Sequence, residues 1–317
     1  MKSFLIFLLL CSFNAPAQKL KIGVLAPDGS SWANSMKAMA QEIETATKSE
    51  VSFKVYYGGV AGDESDVLRK IRIGQFQGGF FTGKTLGEIS KNIRGIEIPF
   101  NFVANRDKAY KALTESNSYF TESLHKSGFQ SLGFFELGQV YLVSTKLIKD
   151  IDALKGVKIW SWEGDQLVKT MMETLNLVSI PLAIPDVLSS FSTGIIEAAY
   201  APPMGILALQ WQTKIKYLVN YPIAYSVGSI IIDSKVWSKV SKDNQNKINT
   251  IAKKYVDLIN KSTIKENEQA LNLIKKSGVT FVDFPQSDLA KTSAIRANVL
   301  KKIEDVVISK ESINFFN

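Results

Sequence analysis

Leu20, Ile22 and Val24 alternate with polar neighbours and predict a first strand. Met36, Met39, Ile43 and Ala46 then recur at helical spacing after the turn 27–32. Val51, Phe53, Val55 and Tyr57 alternate again. The glycine-rich loop 58–62 leads to Asp63, a helix cap ahead of Val67, Leu68 and Ile71. A third strand over 74–81 completes β-α-β-α-β, the order of parallel strands joined by crossover helices. Segment 96–102 reads as extended and apolar, broken by Pro99, and 106–127 as a helix. Strands are predicted over 131–135 and 140–144, long enough to cross between lobes.

The second half repeats the alternation. Val157 and Ile159 mark a strand that runs through Trp160 and Trp162 into the turn 163–165, where Asp165 caps a helix bearing Leu167, Val168, Met171, Met172 and Leu175. Trp160 and Trp162 share one strand face by parity. Strands follow over 180–182, 195–200, 217–219 and 225–232, with helices after Pro185-Asp186 and through Leu207 and Trp211. From 241 to 276 the helical spacing meets no glycine or proline, predicting one helix about 50 Å long that braces both lobes. A strand over 279–282 and a helix over 287–307 close the chain. The fold class is α/β: two lobes with an interlobe cleft and cross-lobe strands, divided as 18–138 plus 228–317 and 139–227. Open α/β sheets bind ligands where strands end and helices begin.

Composition narrows the function. Residues 1–17 carry Lys2, the apolar run 4–11 and Ala15-Pro16-Ala17, which together read as a secretory signal peptide cleaved before Gln18. The run is shorter than the about 20 residues a membrane span needs. The one cysteine, Cys11, lies inside it, so the exported chain has no disulfide, thiol nucleophile or thiolate metal site. The single histidine, His125, falls on the polar side of a helix. The formal charge of +8 is spread over lysines on helix faces, without the basic-aromatic cluster that nucleic-acid binding needs. No phosphate loop has the required spacing. No enzyme, cofactor or metal centre is expected. A periplasmic protein that closes on a small molecule is.

The segment 55–64, Val-Tyr-Tyr-Gly-Gly-Val-Ala-Gly-Asp-Glu, resembles the V-Y-P-G-G-x-L-G-x-x-x-E loop of DctP-type solute-binding proteins of TRAP transporters. Lys155-Gly156-Val157-Lys158-Ile159 resembles their L-K-G-L-K-I-R strand, and Thr193-Gly194-Ile195-Ile196-Glu197 their Q-T-G-V-V-D-G-x-E-N strand. Ile98-Pro99-Phe100 with Phe102, and Trp237, fit the same order. The resemblance implies no catalysis and delivery of ligand to TRAP-type membrane permease subunits, the only membrane association expected.

Where the resemblance implies an arginine gripping a ligand carboxylate, this chain has Trp160. Ala201 stands for an asparagine, Tyr200 for a glutamate, and Gln139-Val140 for a second basic position. Burying an acid against an indole would leave its charge unpaired, so the expected ligand is uncharged and largely apolar or aromatic. Trp160, Trp162, Tyr200, Ala201, Pro202, Pro203 and Met204 would line one face of the cleft, and Trp32, Phe81, Phe100 and Phe102 the other. Glu64 and Thr82, with Asp28 and Gln210, would supply polar contacts. Two alternatives stay open: an organic acid held by a relocated Arg69, Arg72 or Lys84, and a periplasmic carrier or scaffold independent of a permease.

Overall fold

A computed structural model describes residues 17–102 and 105–316. The leader read in 1–17 therefore lies outside the described residues, except for Ala17. Strands β1 (Gln18–Val24), β2 (Val51–Tyr56) and β3 (Gly78–Thr82) pair in parallel, β1 in the centre. Between them run the helices Ser31–Ala46 and Glu64–Arg72, so the expected crossover topology is present. The first helix buries Met36, Met39 and Ile43 of the face its spacing marked, with Trp32 beside them and Ala46 half-buried.

The two runs expected at 131–135 and 140–144 are one 16-residue strand, β4 (Phe129–Ser144). The gap residues Glu136, Leu137, Gly138 and Gln139 have little strand preference of their own, but pairing with β9 carries the strand through them, and register shifts at 131/134 and 136/138 absorb the irregular spacing. Gly138, at φ 110°, sits at the second shift, where a Cβ would crowd the Asn267 amide.

β5 (Lys158–Trp162), β6 (Val178–Leu182), β7 (Ala198–Ala201) and β8 (Tyr217–Val219) form the second half of the sheet. β9 (Ala224–Asp233) returns antiparallel between β3 and β4, giving the order β2-β1-β3-β9-β4-β7-β5-β6. β10 (Thr280–Val282) pairs with β8 on the second half. β4 thus belongs to both halves: its first stretch pairs with β9 and its last residues with β7 and β8.

The helix Lys242–Lys276 is continuous over 35 residues. Its Asn267 receives the Met204 N–H at 3.0 Å and donates to the Leu137 carbonyl at 3.0 Å, pinning the second half to the hinge stretch of β4. Two expectations fail locally. Segment 106–127 breaks at Ser116 into the helices Arg106–Glu115 and Asn117–Lys126. Segment 91–97, whose end the sequence predicts to be extended, is the 3-10 helix Lys91–Glu97. It packs under the helix Gly83–Ile89, where any Cβ on Gly83 or Gly87 would overlap the Glu97 or Arg94 side chain.

Candidate functional site

Strand ends from both halves of the sheet converge on a cavity of about 180 Å³. From the second half come Trp160, Trp162, Tyr200, Ala201 and Pro202; from the first come Trp32, Glu64 and Thr82. Those eight sequence-marked residues are brought together. The parity argument for β5 holds: both rings line the same cavity, their centroids 6.0 Å apart. Trp160 stacks on Tyr200 at 4.8 Å and meets Trp211 edge-on at 5.4 Å. The indoles are also tied down by their N–H groups, Trp160 to the Leu182 carbonyl at 2.9 Å and Trp162 to Asp63 Oδ2 at 2.8 Å.

Five marked residues lie elsewhere. Phe81 is fully buried in a core cluster, because strand alternation turns Phe80 and Thr82 to the cavity and Phe81 away. Phe102 stands one layer behind the wall, its ring edge-on to Tyr225. Phe100, at φ 58°, turns into a separate small pocket with Leu142 and Met172. Pro203 and Met204 start the helix Pro203–Ala208 and face away from the cavity: Pro203 lines a second hollow beside the long helix, and Met204 packs on the first-half core. Asp28 receives the Gly29 N–H and Gln210 belongs to a left-handed turn; neither lines the cavity.

Cations do reach the wall. Arg69 and Arg72 are exposed, as their helical positions implied, but Lys84 and Arg94 line the cavity. Arg94 Nη2 holds both oxygens of Asp165, at 2.7 and 3.0 Å, and its Nη1 binds Glu97. All three side chains are buried. Burial works against the Arg94 charge, yet Asp165 and Glu97 overcome it and hold its pKa above the ordinary value. For Glu97 burial dominates and raises the pKa, with Arg94 opposing. Lys84 Nζ lies 2.6 Å from both Glu88 Oε1 and Ser65 Oγ, and 5.7 Å from the Trp162 ring centre.

Glu64 accepts the Thr82 N–H at 3.0 Å and the Thr82 hydroxyl at 3.0 Å, and burial pushes its carboxyl up to about 8. It is therefore mostly uncharged at pH 7.

Two aspartates join the halves. Asp63 caps its own helix through the Glu64 N–H at 2.8 Å while taking the Trp162 N–H from across the cavity. Asp165 caps the helix Gln166–Thr174 through the Val168 N–H at 3.2 Å while holding Arg94 from the other side. The sequence marked both as caps and neither as a bridge. Arg94 and Glu97 had one signal, a charged pair inside the apolar run Ile93, Ile96, Ile98. Among the described residues no group of acidic, histidine or cysteine side chains is arranged to hold a metal ion, and no helix is long and apolar enough to cross a membrane.

A sheet whose strands cross between two lobes, with a cleft at the strand ends, is a ligand-binding architecture. The chain belongs to the family described as bacterial extracellular solute-binding protein, family 7 (DctP), which it matches over residues 22–305. It is a solute-binding protein, not an enzyme. It is 22% identical over 307 residues to a solute-binding protein of Roseobacter denitrificans, covering 93% of this chain and 91% of the relative. It is 21% identical to the sialic acid-binding periplasmic protein SiaP of Vibrio cholerae, over 86% of this chain and 85% of the relative. Among solved structures, the sugar acid binding protein DctPAm of Advenella mimigardefordensis, in complex with galactonate, superposes with a TM-score of 0.87 at 16% identity, covering 95% of this chain and 97% of that one. DctP7 of Bordetella pertussis, a receptor binding pyroglutamic acid, gives 0.86 at 16% identity, covering 95% and 99%. These likenesses bear out the two-lobed fold.

Proposed function

We propose that this chain is the extracytoplasmic receptor of a TRAP-type transporter, exported by its leader to the periplasm. There it closes two lobes, approximately 18–138 plus 228–317 and 139–227, over a small organic solute for membrane permease subunits. The solute is apolar over most of its surface and carries no net negative charge. One observation carries the charge assignment: each cation at the cavity wall already has a carboxylate. Arg94 is shared by Asp165 and Glu97, and Lys84 is held by Glu88. A ligand carboxylate would be the third anion around one buried guanidinium, and an uncompensated buried charge costs several kcal/mol. Apart from Glu64, Thr82 and Ser226, the rest of the lining is apolar, including Leu25, Phe80, Val140, Val168, Met171 and Ile184.

A second reading has its own support. Relatives are named for sialic acid, galactonate and pyroglutamic acid, and the presence of Lys84 and Arg94 at the wall removes the premise that no cation reaches it. In that reading a ligand acid displaces Glu97 from Arg94, and the Glu97 carboxyl, which burial already raises, takes up a proton. Acid binding would then strengthen as pH falls, whereas binding of a neutral solute to Arg94's surroundings would not.

Native mass spectrometry of the purified protein, followed by identification of the released molecule, decides between them. A neutral, mainly apolar compound is the expected result. A hydroxyl-rich sugar acid, bound more tightly at pH 5 than at pH 8, overturns the first reading in favour of the second.

A further inference from the structure

The chain has five tryptophans, and four of them line the cavity: Trp32, Trp160, Trp162 and Trp211. They fall into two kinds. Trp160 and Trp162, on β5, have given their indole N–H groups to Leu182 and Asp63. Trp32, from the first half, and Trp211, from the second, are 8% and 1% exposed, and their Nε1 groups are buried with no acceptor among the described residues. An indole nitrogen can only donate, and a buried donor left unmet is costly and rare. Both rings are packed in place. Trp211 is held edge-on between Trp160 and Phe191, and Trp32 is packed among Met36, Met39 and their neighbours on the first-half core.

We infer that Trp32 and Trp211 are specificity-determining donors, and that the solute brings oxygen acceptors to one indole N–H from each lobe. This rests on the reading of the cavity as the solute site, and adds to it what the apolar part of the solute must carry. A pure hydrocarbon of the right shape leaves both donors unmet. A carbonyl, an ether or a carboxylate oxygen meets them. Discrimination then comes from two neutral N–H groups, which accept a ketone or lactone oxygen without needing charge in return.

The test uses the full exported chain labelled with ¹⁵N at the indoles, which gives five Nε1–H signals. These are assigned through single Trp→Phe variants or from cross-relaxation to neighbouring side chains. Cyclohexanone, cyclohexanecarboxylate and methylcyclohexane are titrated separately. The expected result is a downfield shift of the Trp32 and Trp211 protons with an oxygen-bearing probe, while the Trp160 and Trp162 signals keep their hydrogen-bonded positions. Methylcyclohexane should bind more weakly than cyclohexanone, and Trp32→Phe and Trp211→Phe should each lower cyclohexanone affinity about five- to tenfold more than they lower that of the hydrocarbon, which loses only ring contact. Tighter binding of the carboxylate than of the ketone keeps the two donors and assigns their acceptor to an acid. Equal affinity for methylcyclohexane and cyclohexanone, or shifts confined to Trp160 and Trp162, overturns the inference and leaves the solute site standing. Probes of all three kinds that move none of the five signals overturn both. The titration of the unsubstituted chain decides the matter even where a variant fails to fold.

Discussion

The two walls of the cavity are built from different chemistry. The second half contributes stacked rings: Trp160, Tyr200 and Trp211, with Trp162 beside them. The first half contributes ionisable groups on helix starts and on the turn Lys91–Glu97: Glu64, Lys84, Arg94 and Glu97. The aromatic wall gains its rigidity from packing inside its own half. The polar wall is neutralised partly from across the gap, since Arg94 needs Asp165 of the other half. An aromatic wall can receive many shapes of apolar solute. A polar wall that is already paired offers little to an anion unless one of its own carboxylates gives way.

The sharpest way to break that contrast is to remove the guanidinium. Arg94→Met leaves Glu97 and Asp165 buried without their cation, and should cost about 3–5 kcal/mol of stability in urea unfolding. Adding Glu97→Gln and Asp165→Asn to the same chain should restore most of the loss, because the penalty belongs to the stranded charges. A triple variant as unstable as Arg94→Met alone would show that Arg94 acts through shape, and that the wall is not electrostatically self-contained.

The aromatic wall was legible in the sequence in Trp160, Trp162 and Tyr200, and the polar wall only in Glu64 and Lys84, for a physical reason. Strand alternation fixes the side to which a residue points, so Trp160 and Trp162 could be placed together from parity alone. The same rule, followed one residue further in β3, would have replaced Phe81 by Phe80. Caps were legible too, since Asp63 and Asp165 sit where helices must begin. Their second role was not, because no local pattern says which residue of a distant segment will face a cap's free oxygen. Arg94 and Glu97 were lost for a related reason. Their 3-10 turn is seated by Gly83 and Gly87, and a helix with two glycines four apart signals close approach only once its neighbour is known. The single long helix was legible because 35 residues of uninterrupted periodicity leave few alternatives.

The next effect is one of pH. Burial holds the Glu64 carboxyl at about 8 in the folded chain, against an ordinary value of 4.5. The folded state therefore keeps a proton that the unfolded chain releases, so its contribution is full below pH 4.5 and is lost as pH rises toward about 8. Glu64→Gln mimics the protonated form and should flatten that decline, with the difference between the two chains growing by on the order of 3 kcal/mol across the window. Parallel pH profiles for the two chains in urea unfolding would show that Glu64 is ionised in the folded state, and would add a negative charge to the polar wall.

The smallest effect tests where the two walls touch. Trp162 donates to Asp63 Oδ2 at 2.8 Å, and a hydrogen bond to a charged group is worth about 1.5–3 kcal/mol. Trp162→Phe keeps a ring in place but removes the donor. Asp63→Ser keeps a good helix cap, because a serine oxygen can still serve the first turn, but is too short to reach the indole. If the bond itself joins the walls, each single variant loses a similar amount, near the lower end of that range, and the double variant loses no more than either. Additive losses would mean that Trp162 and Asp63 stabilise their own halves independently. Polar contact between the walls would then rest mainly on Arg94 and Asp165, with Lys84 beside the Trp162 ring, and opening the cleft would require breaking that ion pair.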